Sequence, residues 1–108
     1  MERNNSLGEC IELCRKCAEE CIHCAEHCSH HSDHAKCVQL CRACTEECEL
    51  LIKKYFNNEV LDDLEMQKCA EVCHNCAEEC EKHKDEYCLK CAALCRKCAR
   101  ACTKMTVL

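Results

Sequence analysis

The sequence predicts an all-α protein: an up-down-up-down antiparallel four-helix bundle with a cysteine-lined core. Three observations carry this reading. All nineteen cysteines fall on four stripes that step alternately by three and four residues, the recurrence of one helix face. The 108 residues include no proline and one glycine, Gly8, so the breakers of a strand-and-turn fold are missing. Ala, Glu, Lys and Leu are abundant, and all are good helix formers.

The first stripe, Cys10, Cys14, Cys17, Cys21, Cys24 and Cys28, places a helix at about 6–30. Ser6 with Glu9 reads as its capping box. Cys37, Cys41, Cys44 and Cys48 place the second at about 33–55, with Asp33 as the expected N-cap. Cys69, Cys73, Cys76 and Cys80 place the third at about 59–82, capped by Asn58. Cys88, Cys91, Cys95, Cys98 and Cys102 place the fourth at about 85–105, capped by Asp85. The runs "LCRKCAEEC", "LCRACTEEC", "VCHNCAEEC" and "LCRKCARAC" are variants of one unit, so the four helices should be alike. Their connections, "SHHSDH", "NNE" and "KHKDE", are short and polar, which makes neighbours antiparallel. The expectation is one domain over 1–108. Leu13, Leu40, Val72 and Leu94 each precede a stripe cysteine and should seal the seam from water.

Composition excludes several function classes. A net charge of −5 argues against nucleic acid as a partner. Charges interrupt every apolar run, so no membrane span is expected. "MERNNSLGEC" contains no apolar run, which points to the reducing cytoplasm as the compartment. An odd number of thiols does not pair off into disulfides. Facing helix axes, ~8–10 Å apart, also fit poorly with the ~7 Å Cα separation a bridge tolerates. As mere packing, cysteine buries less apolar area than Leu or Ile. No Ser/His/Asp arrangement or phosphate loop is visible, and the C-x-x-C pairs are mid-helix and interchangeable. An enzyme is therefore not expected, a thiol redox enzyme included.

Soft thiolates select Cu(I), zinc or iron–sulfur clusters. The loop motif of a cluster is absent. Zinc is geometrically possible, with C-x-x-C turns on two helices supplying four sulfurs. Charge separates zinc from copper: four Zn(Cys)4 sites would leave the core at about −8. Cu(I) takes two or three sulfurs, and an array with about one ion per thiolate is nearly neutral.

The two ends of the stripes differ. Extended by three residues, three of them reach His31, His34 and His83, which should meet at one end and form a metal portal, since imidazoles tolerate solvent better than thiols. The other end carries Leu7, Leu51, Tyr55, Met66 and Met105, an apolar plug. His27 and His30 should lie close to the portal, but they, His23 and His74 read as ordinary polar helix-end residues. Helix four should add Lys84 or Asp85 to the histidine end.

The C-x-x-x-C-x-x-C-x-x-x-C runs, from Cys10 to Cys102, resemble those of the bacterial copper storage proteins, and nearly the whole chain shares the likeness. The resemblance implies a four-helix bundle that holds many Cu(I) ions on its thiolates, for copper storage and detoxification. Without a visible leader the chain looks like the cytosolic type. His31, His34 and His83 match the family's open-end histidines by position. The resemblance further implies a homotetramer and exchange with copper donor or acceptor proteins. The alternative is a zinc-binding thiolate buffer.

Overall fold

A cysteine stripe cannot be shielded by its own helix, so each must face others. The computed structural model describes residues 2–106 and resolves the stripes onto four helices, α1 (Glu2–Cys28), α2 (Ala35–Phe56), α3 (Asp63–Glu81) and α4 (Glu86–Lys104), with a short 3-10 turn at Ser32–His34. Each helix packs on two neighbours, in the ring α1–α2–α3–α4–α1. Sulfur contacts give the directions. Cys37, Cys44 and Cys48 of α2 meet Cys80, Cys73 and Cys69 of α3. Cys28, Cys21, Cys17 and Cys10 of α1 meet Cys88, Cys91, Cys95 and Cys102 of α4. Rising numbers on one helix face falling numbers on the other, so both pairs are antiparallel. The bundle measures 45 × 23 × 20 Å.

The seam is completed by alanines. Ala18, Ala25, Ala70, Ala77 and Ala92 each follow a stripe cysteine and are buried. Small side chains there let the helices approach, which short cysteines need if they are to touch. Leu40 and Val72 are half-buried against the core, and Leu13 and Leu94 are also half-buried, consistent with their expected sealing role.

Four helix boundaries differ from the expected ones. α1 already runs from Glu2, so Ser6 and Glu9 lie inside it and cap nothing; nothing between them and Glu2 breaks a helix. It ends at Cys28, where the Ser29 hydroxyl donates to the Glu26 carbonyl at 2.7 Å. Asp33 sits in the 3-10 turn, and His34 takes the N-cap position of α2. Asn58 does not start α3. It ends α2, with φ 61°: its N–H reaches Tyr55 O at 3.1 Å and the Glu59 N–H reaches Lys54 O at 2.9 Å, the pairing of a Schellman stop, whose left-handed residue is commonly Gly or Asn. α3 starts instead at Asp62, which forms a reciprocal capping box with Glu65. Asp85 caps α4 as expected, accepting from the Tyr87 N–H at 2.8 Å. Met1, Val107 and Leu108, the ends of the expected 1–108 domain, lie outside the described residues.

Candidate metal centre

All nineteen cysteines are buried and free of disulfides. They line one axial column, because the three-and-four step keeps each stripe on the inner face of its helix. Every sulfur has another within 4.0 Å. The closest pairs, Cys28–Cys88 and Cys44–Cys73, stand at 3.4 Å. Contacts also cross the diagonal of the ring, from α2 to α4, at Cys41–Cys91 and Cys44–Cys95 (both 3.9 Å) and Cys48–Cys98 (4.0 Å). The column is therefore a shared interior and not a set of separate two-helix pairs.

Groups of four sulfurs lie within 4.8 Å of one another and are spaced to hold a metal ion, five of them being Cys14/Cys69/Cys98/Cys102, Cys17/Cys48/Cys73/Cys98, Cys17/Cys21/Cys44/Cys95, Cys21/Cys76/Cys91/Cys95 and Cys24/Cys28/Cys37/Cys88. The first four share members. Cys98, Cys17, Cys21 and Cys95 each belong to two groups, so at most three of the five can be filled together without a shared sulfur. Closed tetrahedral sites compete in such a column. Low-coordinate ions bridged by common sulfurs do not.

Burial pushes the Cys28 and Cys88 thiols above the ordinary thiol value. A neutral thiol is the resting form such surroundings favour. A monovalent metal cation that displaces one proton leaves the local charge unchanged.

The two ends of the column are built differently. At one, Leu51 and Met66 are fully buried, with Leu7, Tyr55 and Met105 packed beside them. Tyr55 reaches over α1 where Gly8 leaves room; a Cβ there would lie 3.4 Å from its hydroxyl. At the other end are the histidines. His34 Nδ1 is 3.4 Å from Cys28 Sγ, at the outermost four-sulfur group. The His34 and His83 ring centroids are 3.9 Å apart, and those of His31 and His34 are 5.0 Å apart. His34 and His83 are half-buried, whereas His31 is exposed. The three predicted histidines are thus brought together, two of them shielded and one at the surface.

Sequence reasoning missed Glu79 here, and the partners of His27 and Asp85. His27 continues the row, 5.4 Å from His31, stacked on Tyr87 at 4.5 Å and bonded through Nε2 to Asp85 at 2.5 Å. Its signal was its position, one helical turn before His31. Glu79 is the one buried charged residue among those described; its carboxylate meets His83 Nε2 at 3.2 Å and the Lys82 ammonium at 3.3 Å. Burial alone would raise its carboxyl, but the bonds from His83 and Lys82 outweigh that and hold it below the usual range. Asp85 was foreseen as a cap and as one of two candidates at this end, but not as a histidine partner. His23, His30 and His74 are exposed, and His74 pairs with Glu78 on its own helix.

The copper storage protein family model matches residues 3–107. Two solved structures are similar over nearly the full chain. The Cu(I)-bound copper storage protein BsCsp3 shares 32% identity at a TM-score of 0.88, over 94% of this chain and 99% of that one. The apo form of copper storage protein 3 from Bacillus subtilis shares 34% identity at a TM-score of 0.83, over 91% and 96%. No curated protein matches.

Proposed function

This chain belongs to the copper storage protein family, and from that premise we propose that it stores many Cu(I) ions on the thiolates of Cys10 through Cys102, loaded through a mouth formed by His31, His34 and His83. One observation carries the ligand assignment: the four-sulfur groups overlap. Sharing suits bridged, two- or three-coordinate Cu(I) and penalises isolated four-coordinate ions. Neutrality supports the same choice, since one Cu(I) replaces one proton.

The chemistry of delivery follows from the gradient of ligands. A solvated or chaperone-held Cu(I) first meets imidazole, the donor that tolerates water. His34 stands against Cys28, so the ion passes to sulfur within one ligand exchange. Deeper steps run from sulfur to sulfur along contacts of 3.4–4.0 Å. Storage on this reading needs no catalysis. All described cysteines are free thiols, which supports a reducing compartment and hence the cytosolic type. No helix among the described residues is long and apolar enough to cross a membrane. Ile22, Phe56 and Val60 are exposed, which leaves apolar surface for the tetramer the family resemblance implies.

Zinc is the second reading, favoured by the four-sulfur groups themselves. Anaerobic titration of the reduced protein with Cu(I), and separately with Zn(II), each against a competing chelator, separates the two. Well over ten Cu(I) per chain are expected, approaching one per thiolate. Saturation at four or five ions would sink the bridged array and favour closed tetrahedral sites.

A further inference from the structure

The histidine row has a carboxylate at each flank. At one, Glu79 Oε2 bonds His83 Nε2 at 3.2 Å while its Oε1 meets Lys82 at 3.3 Å. At the other, Asp85 Oδ2 bonds His27 Nε2 at 2.5 Å while its Oδ1 accepts from the Tyr87 N–H at 2.8 Å. Each carboxylate thus has a second partner beside the ring. A carboxylate only accepts, so the imidazole nitrogen facing it must carry the proton. A neutral ring with its proton on Nε2 has its one lone pair on Nδ1. The two outer rings of the row are therefore set alike, although His27 stands on α1 and His83 in the turn after α3.

We propose that Glu79 and Asp85 are positioning residues of the mouth: each accepts a hydrogen bond from the Nε2–H of one flanking imidazole and so keeps that ring's Nδ1 lone pair available to an incoming Cu(I). The proposal rests on the histidine-mouth reading above. Burial supports it at Glu79. A side chain only 10% exposed places a charge where it costs most, and a purely structural salt bridge to a 66% exposed lysine gives little in return. Outer partners of metal-binding histidines set ring orientation and tautomer, and their loss typically weakens binding by ~10–100-fold. Stacking of His27 on Tyr87, at 20° between planes, fixes the second ring in the same sense.

Asp85 also caps α4, so its removal would mix two effects, and the test belongs to Glu79. Glu79→Leu keeps helix propensity and bulk but offers no acceptor; Glu79→Gln keeps a neutral one. Two readouts are needed on the reduced, metal-free protein and on its loading. Long-range 1H–15N correlation near pH 8, above the ordinary imidazole value of ~6.5, reports the tautomer of His83. Stopped-flow transfer from a Cu(I)–chelator complex reports uptake. His83 should be the Nε2–H tautomer in the parent and mixed in Glu79→Leu. Uptake in Glu79→Leu should slow by roughly tenfold, with Glu79→Gln closer to the parent and capacity equal in all three. An unchanged His83 tautomer in Glu79→Leu, or unchanged uptake despite a mixed tautomer, overturns the positioning role. His34→Ala/His83→Ala run in parallel keeps the two claims apart: parent-like uptake there defeats the mouth itself, whereas slow uptake there beside fast uptake in Glu79→Leu defeats only the positioning.

Discussion

A cysteine side chain is one atom beyond Cβ, and that shortness governs the interior. Sulfurs meet at 3.4–4.0 Å only because buried alanines beside them let the backbones close in. The same shortness lets most of the sulfurs touch more than one other, as Cys44 touches Cys17, Cys73 and Cys95. Imidazoles stand where the column opens and thiols where water is excluded. Replacing His31, His34 and His83 together by alanine should therefore slow Cu(I) uptake while leaving final capacity almost unchanged. Cys17→Ala with Cys21→Ala should do the reverse, lowering capacity with the mouth intact. Stopped-flow uptake beside endpoint stoichiometry checks both; a large capacity loss in the histidine variant would make those rings storage ligands.

The helices are defined as much by their ends as by their stripes. α2 stops at a left-handed Asn58, the chain then runs non-helical through Leu61, and α3 begins at the Asp62–Glu65 box. Glu65 also pairs with Lys54 of α2, tying that cap to the neighbouring helix. Asp62→Ala should cost about 1 kcal/mol of apo-protein stability in chemical denaturation, without changing Cu(I) stoichiometry. A null effect would mean that the Leu51 and Met66 packing alone holds this end. The histidine end lacks such a box at α2, where the His34 side chain makes no capping bond and is left to face Cys28.

At the scale of the molecule, the ring of four helices is closed before any metal arrives. Its contacts are thiol, alanine and leucine packing, none of which needs an ion. The metal-free protein should accordingly be helical by circular dichroism, and its melting temperature should climb on Cu(I) loading, because the ligand binds only the assembled column. A coil-like apo spectrum would contradict this. At Cys28 and Cys88, where burial is the leading cause, the shift gives a pH dependence of definite sign. Cys28 and Cys88 titrate above the ordinary thiol value in the folded protein, so their protonated form stabilises the apo fold below the unfolded value of ~8.5. That contribution is lost as pH rises from there through their folded values. Apo stability should thus fall between neutral and strongly alkaline pH, measured by denaturation of the reduced protein at a series of pH values. Stability that stays flat or rises over that range would mean these thiols ionise in place.

The four stripes, their antiparallel order, the thiol column and the contrast between a histidine end and an apolar end were all legible in the sequence. Each follows from a strict three-and-four periodicity, a local property of one chain segment. The helix ends were less so. Ser6, Asp33 and Asn58 have cap chemistry, but continuing helix propensity, a 3-10 turn and a left-handed stop overrode it. The partners of the histidines were not legible either. Glu79 looks like any glutamate of an "AEEC" repeat, and His27 like any surface residue, until α1, α3 and α4 converge at one end of the bundle. A stripe records which face a residue occupies, whereas a carboxylate 3.2 Å from a ring nitrogen or an imidazole in contact with a helix-end thiol depends on rotation, turn geometry and side-chain rotamers, which arise only when the helices pack.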